Sequence, residues 1–179
     1  MSDDRLLILG LGNILMGDDG IGMHIINDLK KLNLPDSIDV IDGGTPGIDL
    51  IDMLSTYRNV ILVDAIKYRG GDSSGIKVVS PDDIIYREYD DFSAHDVELT
   101  SVLRLMRTLD MDMPEIKIIG MPAYNIYPGI GLSDECKRFI PEAVEFIMDA
   151  AEGKSLTIAF PAACCRKLQY IREVSHDST

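Results

Sequence analysis

The chain is short of positive charge. Seventeen Lys and Arg stand against 30 Asp and Glu, a net −13 at pH 7, with the acids spread along the length. A chain this acidic repels phosphate backbones and anionic lipid, so neither nucleic acid nor membrane is expected as a partner. No apolar run approaches the ~20 residues of a membrane-spanning helix. The acidic opening MSDDR runs straight into an apolar strand pattern and does not read as a signal peptide; a cytoplasmic protein is expected. Cysteine is scarce, and Cys136, Cys164 and Cys165 give neither metal-ligand spacing nor an even disulfide set, which leaves reduced thiols. The H-E-x-x-H signature of zinc peptidases is missing, and Cys136 has no evident histidine partner for nucleophilic work.

What is present is one domain's worth of core. The 179 residues are 46% hydrophobic, without internal repeat or low-complexity linker. A single α/β domain is expected over 1–153. Beyond it, 154–179 reads as a partly ordered tail with one apolar piece, Leu156–Phe160.

The stretch Leu6–Gly22, LLILGLGNILMGDDGIG, organises the rest. The apolar run Leu6–Leu9 closed by Gly10 reads as a buried parallel strand. Gly10 and Gly12 allow a sharp turn and a close backbone approach. Two adjacent carboxylates, Asp18 and Asp19, follow, and then Ile21, Ile25, Ile26 and Leu29 at helical spacing. A dinucleotide fingerprint fails here. Its third glycine would fall at Leu15, and two carboxylates at a helix entrance would repel a pyrophosphate. No nucleotide is expected. One acid can serve as a helix cap; the second needs another reason.

Further along, Ile38–Ile41 reads as a second strand closed by Asp42-Gly43-Gly44, with Thr45 capping a helix that starts at Pro46. Asn59–Ala65 is the most hydrophobic strand and ends on Asp64. Gly75–Val79 reads as an edge strand, antiparallel to the others, and Asp82–Phe92 as charged and irregular. Val97–Leu109 reads as a helix facing inward through Val97, Val102, Leu105, Met106 and Leu109. Glu115–Ile119 is a strand, Met121–Gly131 a loop, and Ser133 the cap of a last helix through about Ala151. This alternation predicts a three-layer α/β/α fold around a mostly parallel sheet, whose right-handed crossovers bring strand ends to one edge.

That edge gathers Asp18 and Asp19, Asp42, Asp64 and His95. Asp64 closes a core strand, and carboxylates are rarely buried unless paired or bound to something. His95 lies in Ser93-Ala94-His95-Asp96, a loop entering a helix. Two carboxylates and one imidazole suit a divalent transition metal with coordination positions left open.

On these residues the sequence resembles the hydrogenase maturation proteases, the endopeptidases that finish the large subunit of nickel–iron hydrogenases. The resemblance spans roughly 6 to 150. It is carried by Gly10-Leu11-Gly12-Asn13-Ile14-Leu15 with Asp18-Asp19-Gly20-Ile21-Gly22, by Asp42-Gly43-Gly44-Thr45, by Val63-Asp64-Ala65 and by Ser93-Ala94-His95. The wording around His95 and Glu98 is similar to the branch serving deazaflavin-reducing hydrogenases of archaea. The resemblance implies a twisted five-stranded sheet with one antiparallel strand. It also implies removal of a C-terminal extension from the large-subunit precursor once nickel is in place. The family's metal-contacting positions map onto Asp19, Asp64 and His95; some members carry Glu where this chain has Asp19. Nickel is then expected as a feature of the substrate, contacted rather than permanently held. Asp19 and Asp64 are the expected catalytic carboxylates of an aspartyl-type protease, with Asp42 third. Asp42, Gly43, Gly44 and Thr45 are expected to bind the extended substrate. A monomer is expected. A metallohydrolase acting on small molecules with its own metal, and a non-catalytic maturation chaperone, stand as alternatives.

Overall fold

The computed structural model describes residues 3–67, 75–86 and 94–152. In chain order it contains β1 (Asp3–Leu11), a 3₁₀ turn (Gly17–Gly20), α1 (Ile21–Leu29), β2 (Ile38–Gly44), a second 3₁₀ turn (Gly47–Asp49), α2 (Leu50–Thr56) and β3 (Tyr57–Lys67). Then come β4 (Lys77–Val79), α3 (Pro81–Tyr86), α4 (Ala94–Thr108), β5 (Glu115–Ala123), α5 (Asp134–Lys137) and α6 (Ile140–Ala151). The five strands form one sheet in the order β2-β1-β3-β5-β4. All neighbours are parallel except β4, which runs antiparallel to β5 at the edge, as its sequence predicts.

Both faces are covered, which is why the inner strands are apolar at consecutive positions rather than at alternate ones. Leu7, Leu9 and Leu11 of β1 with Leu62 of β3 pack against α2, α3 and α4. Ile8 of β1 with Ile61, Val63 and Ala65 of β3 pack against α1 and α6. The expected three layers are therefore present.

Several boundaries differ from the sequence reading, each for a local reason. The span 82–92 is not wholly irregular: α3 forms because Ile84 and Ile85 are buried in the same layer as α4. Among the described side chains the inward stripe of α4 is Leu99, Val102, Leu103 and Met106, the i, i+3, i+4, i+7 set, while the side chain of Val97 lies outside those described. Leu109 lies past the helix end and is exposed, and Leu105 is only half-buried. Strand β5 runs on through Pro122 to Ala123. Among the described residues β4 pairs with β5 only as far as Gly120, and Pro122 is paired on the other side with Ile66 of β3, at a position past the β4 ladder where a proline is tolerated. The last helix is split. Ser133 caps the short α5, its Oγ accepting from Cys136 N at 3.1 Å, and a new helix starts at Ile140 with Pro141 in its first turn, since proline cannot continue a helix interior. Thr45 caps nothing: the chain enters a 3₁₀ turn after Pro46 without a side-chain cap. The tail 154–179 lies outside the described residues.

Glycine places α1 against the sheet. A methyl built on Gly22 would overlap the carbonyl oxygens of both Leu11 and Val63, lying 2.6 Å from the latter. The first turn of α1 therefore touches the backbone of β1 and β3 directly. Gly22→Ala gains up to ~1 kcal/mol of helix propensity but collides with backbone that cannot rotate away. The expected outcome is a net loss of about 2 kcal/mol, read as a lowered midpoint in urea unfolding.

Candidate active site

Strand β1 leads through α1 to β2 on one side; the chain then crosses back to β3, on the other side of β1, and continues to β5. The sheet's winding thus reverses between β1 and β3, and the carboxyl ends of those two strands are the place where open α/β sheets hold ligands; the cavity lined by Leu6, Ile38, Asn59 and Glu115 lies at the opposite, amino ends of the strands. Asp18 and Asp19 follow β1, and Asp64 lies near the end of β3. They are the buried charged residues among those described, at 0, 1 and 2% exposure respectively.

The two adjacent acids do different jobs. The carboxylate of Asp18 fastens two loops together. Its Oδ2 accepts the N–H groups of Tyr124 at 3.0 Å and Asn125 at 2.8 Å and the Ser133 hydroxyl at 2.8 Å, while Oδ1 accepts Ser133 N–H at 2.6 Å. Backbone bonds complete the clasp, from Asp18 N to Asn125 O at 2.9 Å and from Gly17 N to Gly129 O at 3.0 Å. Burial alone would push the Asp18 carboxyl up; the hydrogen bonds from Ser133, Asn125 and Tyr124 outweigh it and hold the group below the ordinary aspartate range. Neither acid is a side-chain cap of the turn that carries them. Asp18 is thus structural, a role that neither capping nor metal contact anticipates.

Asp19 faces the other way. Its Oδ2 accepts the N–H of Asn13 at 2.8 Å, drawing the glycine loop back over it. Gly12 makes this fold possible: its φ is +120°, and an added methyl would strike the carbonyl of Asp19. The 3₁₀ turn holding Asp19 packs on β3, which carries Asp64 and runs on past it to Lys67. Asp64 Oδ1 accepts Ala65 N–H at 2.7 Å. Strand alternation fixes its side of the sheet. Leu62 and Ile66 belong to the layer with α4, whereas Val63 and Ala65 belong to the layer with α1, so Asp64 shares the α4 side. His95 lies in the first turn of α4; its side chain falls outside the described residues, as does Ser93. Among the described residues no group of three His, Cys, Asp or Glu side chains forms a metal site.

Asp42 differs from these buried acids in its surroundings. It lies within β2, paired with Gly10, and is exposed, with the strand running on to Gly44. Gly43 packs on Gly10 and Leu9 of β1, and Gly44 takes a φ of +56° as the strand ends.

Cys136 is buried, its Sγ donating to Pro122 O at 3.5 Å. Burial, the charge of Asp18 and a hydrogen bond with that carboxylate all push the thiol up, so it stays protonated and inert as a nucleophile. One serine-hydrolase spacing does occur, Gly71-Asp72-Ser73-Ser74-Gly75. Gly75 leads into the antiparallel edge strand β4 and not into a helix, which is not the strand–turn–helix setting of a nucleophile elbow; residues 71–74 lie outside those described.

A doubly wound sheet with buried carboxylates at its winding reversal defines a class of α/β protein whose candidate site is the acidic carboxyl edge of the sheet. Comparison supplies the family. The chain belongs to the hydrogenase maturation proteases, whose family model matches residues 23–150, and is a peptidase. It is 33% identical over 155 residues to a relative from Methanocaldococcus jannaschii, covering 83% of this chain and 97% of that one. The hydrogenase maturating endopeptidase HybD of Escherichia coli superposes with a TM-score of 0.72 at 28% identity, over 83% of this chain and 93% of its own. The [NiFe] hydrogenase maturation protease HybD of Thermococcus kodakarensis does so at 0.66 and 30% identity, over 82% and 99%.

Proposed function

We propose that this peptidase removes the C-terminal extension of a nickel–iron hydrogenase large-subunit precursor after nickel insertion, and that it recognises its substrate through the nickel already bound there. The observation that carries the reading is the pair Asp19 and Asp64, two buried carboxylates on either side of the β1–β3 reversal, in a chain of this family. Asp19, Asp64 and His95 contact the substrate's metal, and a set with open positions accepts an ion that another protein still holds. Both carboxylates sit below the surface, so a projecting segment reaches them where a flat face does not.

For the cut, a carboxylate of Asp19 or Asp64 orients and deprotonates water. The water oxygen adds to the scissile carbonyl, the C–N bond breaks, and the proton passes to the departing amine. Asp42, Gly43, Gly44 and Thr45 lie at the carboxyl end of β2, an edge strand paired on one side with β1. Their backbone groups hold the extended substrate by adding a strand.

Mass spectrometry of the large-subunit precursor, with and without nickel, after incubation with this protein tests the reading. Loss of one C-terminal peptide from the nickel-loaded form alone is the expected result. Cleavage irrespective of nickel refutes metal recognition, and binding without release of a peptide favours a chaperone. Stoichiometric metal in the purified protein, with hydrolysis of small substrates, favours a self-contained metallohydrolase.

A further inference from the structure

Four large apolar side chains stand in water on the loops that adjoin the turn carrying Asp18 and Asp19. Ile14 and Leu15 lie on the loop after β1, and Tyr127 and Ile130 on the loop after β5, at 52, 58, 67 and 89% exposure. Loops rarely present such residues together without a partner. These two loops are also pinned to one another. Gly129 N donates to Leu15 O at 2.8 Å, Met16 and Gly129 form a parallel bridge, and the Asp18 carboxylate ties residues 124, 125 and 133 to the same turn. The apolar groups therefore project from backbone that is already fixed, so covering them costs little loop ordering.

We infer that Ile14, Leu15, Tyr127 and Ile130 form a docking rim for the folded body of the substrate protein, next to the segment that reaches the site acids. This rests on the protease reading given above and adds where specificity for the whole precursor resides. The occupant is an apolar patch bordered by Lys and Arg. The apolar part matches the four side chains. The basic border matches the exposed Asp42 and Asp49 on the same edge of the sheet and a chain of net charge −13. A small-molecule substrate would need no such rim.

The test compares the native chain with the double variant Leu15→Ser/Ile130→Ser, both exposed positions at which serine is compatible with folding. Leu109→Ser is the control, an equally exposed leucine at the far end of α4. The probe is the nickel-loaded large-subunit precursor from the same organism. Its affinity is measured by calorimetry and its processing by mass spectrometry of the released peptide. The double variant is expected to raise Kd and KM about tenfold, with kcat within about twofold of native, while Leu109→Ser matches the native chain. A double variant that binds as the native chain does overturns the rim and leaves the protease reading intact. If the native chain binds but does not cut, the protease reading fails and the two Kd values still decide the rim. No binding by the native chain overturns both. Sedimentation showing a native dimer that the double variant dissolves assigns the rim to a second copy and overturns the proposal.

Discussion

Asp64→Asn processes nickel-loaded precursor at least about a hundredfold more slowly than the native chain, the loss expected when a group that moves a proton or meets a metal is removed. The amide keeps the size of the carboxylate and can still accept the 2.8 Å or 2.7 Å backbone bond that each site acid receives, from Asn13 in the case of Asp19 and from Ala65 in the case of Asp64. What it loses is charge and basicity. Folding is therefore expected to survive, and circular dichroism of the variant should overlay that of the native chain. Asp19→Asn is expected to fall as far, and His95→Gln to lose binding of the metal-loaded form. Processing is followed by mass spectrometry under single-turnover conditions, so that slow product release does not mask the chemical step. Near-native rates for all three variants would remove these residues from the mechanism.

The second large effect concerns stability. Asp18→Asn is expected to cost about 4 kcal/mol, a drop in Tm of roughly 10 °C for a chain of this length. The amide turns an NH₂ toward donors that the carboxylate satisfied, three backbone N–H groups and the Ser133 hydroxyl. All are distant in sequence from Asp18, so the loops after β1 and β5 separate together. The effect depends on pH with a definite sign. The folded carboxyl titrates below its unfolded value of 3.8, so its contribution is complete above about that pH and fades as pH falls through the lower, folded value. The native-minus-variant difference should thus be constant from neutrality down to weak acid and shrink below it. Urea unfolding across that range measures it. A difference that grows on acidification would mean that Asp18 is not held as the anion.

Much of this was legible in the residues because local pattern and tertiary role agree there. Leu6–Leu9 and Val60–Val63 are apolar at consecutive positions, which only a sheet covered on both faces requires, and the glycines after β1 mark where backbone meets backbone. The placement of Asp19 and Asp64 at one sheet edge followed from alternation of strands and helices. The division of labour between Asp18 and Asp19 did not. It depends on Tyr124, Asn125 and Ser133, more than 100 residues away in the chain, and no periodicity connects them. The end of β2 was misplaced because it was set at the last apolar residue, whereas the strand continues through Asp42 to Gly44 by pairing with Gly10 and Leu11 of β1. The split between α5 and α6 had a visible signal in Pro141. The docking rim had one in Ile14, Leu15 and Ile130, which are apolar where loops are ordinarily polar.

Diffraction at the nickel absorption edge from crystals of this protein soaked in nickel salt asks the central question directly, whether Asp19, Asp64 and His95 can share one cation. A single anomalous peak at the carboxyl ends of β1 and β3, within bonding distance of both carboxylates and the imidazole, is the result expected. A peak held by other residues, or a refined structure in which the His95 ring points away from Asp64, would contradict it.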